Sequence, residues 1–299
     1  MNKCPGCGAI LQSEDVNKAG YIKNLDYKLC ERCFKIKNYN YYDQNRVISN
    51  EDILLKSNDI HGLRIFLCDL FTLNDNIVKL YSKINNPKIF LITKIDVVPK
   101  NINLDKLKNN IINYIKDVNV FLISIKNDYG KNELLNIIRK YNSVCLLGPS
   151  SSGKSSLINH LFSSSLTVSN YQNTTQDFIE IKNDGIKIYD VPGFTDNYRE
   201  NINYKKMIKP ITMNLKKEYE LVINDYVIGF KEDASITLFF ESDINIKTNK
   251  KKTKFIYERS IQKGDILINN LGFIYIKKEN VLCYSNSKIF IRPSLVGEV

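Results

Sequence analysis

The sequence predicts an α/β protein in three parts: a cysteine-pair module, a phosphate-binding parallel-sheet domain and a small antiparallel β domain. Three observations carry this. Two CxxC pairs stand near the N-terminus. Apolar runs then alternate with amphipathic segments around a glycine-rich loop, over residues 46–215. Short β-branched and aromatic runs separated by turn signals fill residues 216–299.

The first part, residues 1–45, has little apolar periodicity, and a core that small needs a staple. In the second part the strand candidates are Arg64–Asp69, Lys88–Ile92, Val120–Ser124, Val144–Leu147, Ile179–Lys182 and Ile186–Tyr189. Helices are expected at Asn103–Ile115, Lys131–Tyr141 and Lys154–Phe162. Near-continuous apolar strands joined by helices indicate a parallel sheet covered on both faces. In the third part the strands expected are Leu221–Phe230, Ile236–Phe240, Lys254–Tyr257, Ile266–Ile268 and Phe273–Ile276, punctuated by Lys263-Gly264-Asp265 and Leu271-Gly272. The Lys247–Lys254 block reads as a solvated loop, with RNA contact as the sharper alternative.

With 43% apolar and 25% charged residues, the 299-residue chain has an ordinary globular composition. Its longest apolar runs, such as Leu63–Cys68, fall far short of the roughly 20 residues that span a bilayer. No basic segment leads into an apolar core at the N-terminus, so a cytoplasmic chain, or one in an organellar matrix or stroma, is expected, with no membrane partner. The net charge of +11 points to an anionic partner such as nucleic acid. Lys supplies most of it, Asn and Ile are abundant and Trp is absent, which an AT-rich coding sequence would also produce.

Residues 148–155 read GPSSSGKS. Gly148 and Gly153 permit a tight loop whose backbone N–H groups wrap phosphates, together with Ser151, Ser152 and Ser156. Lys154 supplies charge to the β- and γ-phosphates and the Ser155 hydroxyl a Mg²⁺ ligand. Downstream, Asp190-Val191-Pro192-Gly193 offers a carboxylate to the Mg²⁺ shell and the Gly193 N–H to the γ-phosphate. Thr175 is the expected switch hydroxyl on Mg²⁺, with Thr174 as the fallback.

The base-reading candidates lie upstream. Thr93-Lys94-Ile95-Asp96 closes a strand, and the Asp96 carboxylate can accept from guanine N1–H and its amino group, donors that adenine lacks. The Lys94 stem can lie along the purine face, and Ser124 closes the next strand where a backbone N–H would meet guanine O6. In ordinary G proteins the phosphate loop comes first and the base readers last. Here the order is reversed, as in a circularly permuted P-loop GTPase domain, with the helix from Lys131 joining the old termini.

Cys4, Cys7, Cys30 and Cys33 have the spacing of a closed tetrahedral Cys₄ zinc site. A redox pair and an iron–sulfur cluster are the alternatives. His61 and His160 are expected to be structural.

These features together resemble the YqeH-type circularly permuted GTPases, through CPGCG, CERCFKIKNYN, TKID, GPSSSGKS, TTQD and DVPG. The resemblance implies a GTPase of small-ribosomal-subunit assembly, monomeric, using GTP/GDP, Mg²⁺ and Zn²⁺, with the small subunit or its rRNA as partner. It implies RNA or peptide binding for the C-terminal domain. A GTPase component of a tRNA-modifying system and a GTP-gated placeholder on RNA are the rival readings. This sequence departs from relatives at Thr93 and Ser151, where Asn is common, and at Ile125 after Ser124, where Ala is typical. Phe194 stands where Ras-like enzymes carry the Gln that orients water, so slow intrinsic turnover is expected.

Overall fold

The computed structural model describes residues 2–16, 18–24, 26–39, 49–162, 178–195, 206–254, 256–268, 271–278 and 281–297. The elements run α1 (Glu31–Tyr39), α2 (Asn50–Asp59), β1 (Leu63–Asp69), α3 (Asp75–Ser82), β2 (Lys88–Thr93), α4 (Leu104–Ile115), β3 (Val120–Leu122), α5 (Lys131–Ile138), β4 (Ser143–Leu147), α6 (Lys154–Phe162), β5 (Ile179–Asn183) and β6 (Ile186–Asp190). There follow β7 (Ile211–Leu215), β8 (Tyr219–Ile223), β9 (Tyr226–Phe230), β10 (Ala234–Phe240), β11 (Ile246–Lys250), β12 (Tyr257–Ile261), β13 (Gly264–Ile268), β14 (Gly272–Ile276), β15 (Val281–Ser285) and β16 (Phe290–Pro293). Two compact units result. One gathers residues 1–69, 79–95 and 119–197, the other residues 70–78, 96–118 and 198–299.

The first unit holds a six-stranded sheet of order β3-β2-β1-β4-β6-β5, parallel except where β5 returns beside β6. β1 and β4 are buried at every position, as strands covered on both faces must be. Ile65, Leu67, Leu91, Val144, Leu146 and Ile188 pack with Leu134, Ile138, Leu157 and Ile158 of the helices in one core. β3 is shorter than the Val120–Ser124 run suggests. The Ile123 N–H donates to the Ile92 carbonyl, while Ser124 already turns back to bond Tyr129. α5 likewise stops at Ile138 rather than Tyr141. Lys140 and Tyr141 donate to the carbonyls of Ile137 and Ile138, a tight turn that sends the chain into β4.

The second unit contains two five-stranded antiparallel sheets, β16-β13-β14-β10-β7 and β11-β8-β9-β15-β12, over a shared apolar core. β7 ends the segment that the sequence reading assigned to the middle part, but it pairs with β10 along five residues. Leu221–Phe230 is two strands, because Asn224 adopts φ 49° and turns the chain so that Ile223 faces Tyr226. The Lys247–Lys254 block is half edge strand, β11, with its Lys side chains exposed in the manner that keeps an edge from pairing with another chain. The expected strand at Lys254–Tyr257 begins instead at Tyr257, since β11 and β12 are opposite edges of one sheet and the chain between them must cross it.

Arg292 and Asp265 form a fully buried ion pair in this unit, at 3.0 Å. The guanidinium also donates to the carbonyls of Leu70 and Leu73 at 2.6 and 2.8 Å, and lies over the Phe273 ring. The chain that leaves β1 is thereby fastened to β13 and β16. Helix α4 is tied to the same place through Asn110, whose amide donates to the Leu295 carbonyl at 3.0 Å. Removing one partner strands a buried charge, so Asp265→Ala should destabilise the chain by about 3–5 kcal/mol in urea unfolding, and adding Arg292→Met should restore part of the loss.

Candidate functional site

Because the five neighbouring strands β3, β2, β1, β4 and β6 run parallel, the loops after β2, β3, β4 and β6 leave the same edge of the sheet, where open α/β sheets bind ligands. Thr93, Ser124, Gly148 and Asp190 all stand there. The loop from Gly148 to Gly153 connects buried β4 to the N-terminus of α6. A Cβ on Gly148 would run into the carbonyl oxygen of Leu67, so no other residue fits. Ser151 takes the left-handed conformation, φ 62°, which helps the successive backbone N–H groups form an anion-binding concavity.

Lys154 is almost fully buried, and its ammonium donates to the carbonyls of Gly148 and Pro149 at 3.1 and 2.9 Å. The buried Ser152 hydroxyl has no hydrogen-bond partner among the described residues. A buried cation held by neutral carbonyls, an unsatisfied hydroxyl and a helix N-terminus fit a phosphate group. The Ser155 hydroxyl donates to Asp190 Oδ2 at 2.7 Å, bringing together two hard oxygen donors of the kind Mg²⁺ prefers.

The DxxG segment is packed directly on this loop. The Ser150 N–H donates to the Phe194 carbonyl, and the Phe194 N–H to the Gly148 carbonyl, each at 3.1 Å. A Cβ on Gly193 would stand 2.5 Å from Ser150 Cα. The Phe194 side chain points into the core, 1% exposed, and stacks on Phe66 at 6.0 Å beside Phe90 and Tyr81.

Thr93 connects the upstream motif to the phosphate loop. Its hydroxyl donates to the Ser152 carbonyl at 3.0 Å, 59 residues away in the chain. Lys94, at φ 60°, forms an ion pair with Asp69 at 2.7 Å. Register explains this: Asp69 is the β1 partner of Thr93. Asp69 is nearly buried and was missed by the sequence reading, although a carboxylate closing an apolar strand is a visible signal. Ser124 is buried and its hydroxyl accepts from the Lys126 N–H at 3.2 Å. Asp96 lies in the tight turn Ile95–Val97 that follows β2. Ser156 is the third residue of α6. Thr174 and Thr175 fall outside the described residues.

The four N-terminal cysteines form a separate cluster. Cys4, Cys7, Cys30 and Cys33 are fully buried, with all four sulfurs within 4.8 Å of one another. Ala9 and Ile22 pack around them. The Cys30 N–H donates to Cys4 Sγ at 3.3 Å and the Cys33 N–H to Cys30 Sγ at 3.4 Å. Sulfur–sulfur hydrogen bonds push the thiols of Cys4 and Cys30 below the ordinary thiol range and those of Cys7 and Cys33 above it. Four thiolates this close can ionise together only around a cation, so the residues fit a bound metal ion.

Two family models match the chain. One, described as a 50S ribosome-binding GTPase, covers residues 143–268 and so starts at β4. The other, described as the RsgA GTPase, covers residues 66–198 and runs through the Thr93–Asp96 motif before the phosphate loop. YqeH of Bacillus subtilis (strain 168), described as uncharacterized, is 25% identical over 98% of this chain and 99% of its own length. The chain is similar to the YqeH-type circularly permuted GTPases. It binds and hydrolyses GTP, with GDP as product and Mg²⁺ as the companion ion. No described helix of this GTPase is long and apolar enough to cross a membrane.

The Thr93 contact yields a direct expectation. Thr93→Val should weaken GDP binding about 5-fold, the worth of one hydrogen bond of about 1 kcal/mol, in a fluorescent-GDP titration. Gly193→Ala, which drives a methyl into Ser150, should cost far more GTP turnover than GDP affinity, measured side by side.

Proposed function

We propose that this GTPase is an assembly factor that docks on the small ribosomal subunit or its rRNA and leaves after hydrolysis. The observation that carries the reading is the burial of Phe194. Ras-like enzymes place a water-orienting Gln at that position, whereas here the side chain belongs to the core. A site built this way is a slow timer, with intrinsic turnover below about 1 s⁻¹ until a partner positions the water. The resemblance to YqeH and RsgA proteins supports a ribosomal partner. The exposed Lys247, Lys250, Lys251, Lys252 and Lys254 support a polyanionic surface on it.

In this reading Gly148, Ser151, Ser152, Gly153, Lys154, Ser155 and Ser156 hold the phosphates. Thr93, Lys94, Asp96 and Ser124 hold guanine, Asp96 accepting from N1–H and the amino group. Thr93 acts by tying its motif to the phosphate loop, and Lys94 is aimed by Asp69. Ser155, Thr175 and Asp190 hold Mg²⁺, which when bound neutralises charge developing on the phosphates. Lys154, Thr175 and Gly193 are the catalytic set, stabilising the γ-phosphoryl group during in-line attack by water. Release of Thr175 and Gly193 after hydrolysis then lowers partner affinity.

Residues 1–45 form the metal module, which we assign to zinc, residues 46–215 the GTPase segment and residues 216–299 a β-rich RNA- or peptide-binding segment. Cys₄ with no nearby His is a closed structural zinc set. Elemental analysis should find one zinc per chain, and Cys30→Ser should abolish it; iron in its place would overturn the assignment.

The function is tested by steady-state GTP hydrolysis alone and with purified small subunits, large subunits or tRNA. Small subunits should raise turnover at least 10-fold. Stimulation by large subunits, the particle named in one family description, or by tRNA alone would replace the proposal.

A further inference from the structure

We infer that α2 reads the state of the nucleotide site, with Asn50 as the positioning residue that links it to the DxxG segment; the inference rests on the guanine-nucleotide site proposed above. Asn50 is the first residue of α2. Its side-chain amide pairs with both main-chain groups of Thr195, two residues beyond Gly193. Nδ2 donates to the Thr195 carbonyl at 2.9 Å, and the Thr195 N–H donates to Oδ1 at 3.0 Å. The helix does not need this side chain for capping, because Ser49 is the N-cap and accepts from the Asp52 N–H.

Two further contacts make α2 suited to the task. The Lys56 ammonium lies 5.7 Å from the ring centroid of Phe178, the residue that leads from the Thr175 segment into β5. The helix thus touches the chain next to both sequence segments expected to respond to the γ-phosphate. Its other end is fixed. The buried Arg64 of β1 donates to the carbonyls of Ser57, Asn58 and Ile60 at the helix C-terminus, and to those of Gly62 and Asn86 in the neighbouring turns. One end is fastened to the sheet while the other follows Thr195. Because Phe194 and Gly193 are already seated on the phosphate loop, the Asn50 pairing holds the segment where a γ-phosphate would meet it.

The test compares the full-length chain with Asn50→Ala and Asn50→Asp. GDP and a β,γ-imido GTP analogue are titrated against each, and hydrogen exchange is followed over residues 49–56 in both complexes. Asn50→Ala should weaken the GTP analogue at least 5-fold relative to GDP and erase the exchange difference between the two complexes. Asn50→Asp keeps the acceptor for the Thr195 N–H and should fall between wild type and Asn50→Ala. It also carries the test should the Ala variant fail to fold. A parallel loss of both affinities would mark Asn50 as merely structural and overturn the inference, as would an unchanged affinity ratio. Wild-type protein that bound neither nucleotide would overturn the site itself, and this inference with it.

Discussion

Two backbone hydrogen bonds, Ser150 to Phe194 and Phe194 to Gly148, hold the site together. They join loops that leave adjacent parallel strands, β4 and β6, in a register that sets Leu146 opposite Asp190. For the loops to approach this closely Gly193 cannot carry a Cβ, which would strike Ser150, while Gly148 must lack one because it lies against the Leu67 carbonyl of β1. Once they do, the Ser155 hydroxyl and the Asp190 carboxylate meet without further adjustment. The chemistry of the site is therefore set by main-chain packing before any ligand contributes.

The same contact explains the fate of Phe194. Its backbone is committed to the phosphate loop on both sides, and its ring is stacked on Phe66, which in turn packs with Phe90 and Tyr81. A large apolar side chain buried at this point anchors the segment firmly, since each such ring contributes roughly 1.5–3 kcal/mol of burial. It also takes away the position from which a polar side chain could orient water. Rigidity at the phosphate loop and the lack of a water-orienting side chain at this position have one structural cause.

Motif order has little weight in such a sheet. β1 sits between β2 and β4, so strands far apart in sequence become neighbours. Thr93 reaches Ser152 across 59 residues because both stand at the same strand edge. A site assembled from strand ends depends on spatial order alone, which is why opening the chain elsewhere leaves it intact.

Much of this was legible in the sequence because it is local chemistry. The phosphate loop, the DxxG segment and the CxxC pairs are short, with residue types dictated by backbone geometry or metal ligation. Apolar runs placed the sheet strands of the first unit to within a residue, except β3, which ends two residues early because Ser124 turns back to bond Tyr129. What stayed hidden depends on distant partners. β7 and β11 are exposed edges whose membership only pairing decides, and an Asn-Asp turn splits what reads as one strand at Leu221–Phe230. Asp69, Asn50 and Arg292 carry no motif, and each acquires its role from groups 25 to 222 residues away. By itself the sequence determined what chemistry this protein holds, since residue type and spacing suffice for a loop. Only the tertiary structure decided which side chains aim and couple that chemistry, because those contacts depend on strand register.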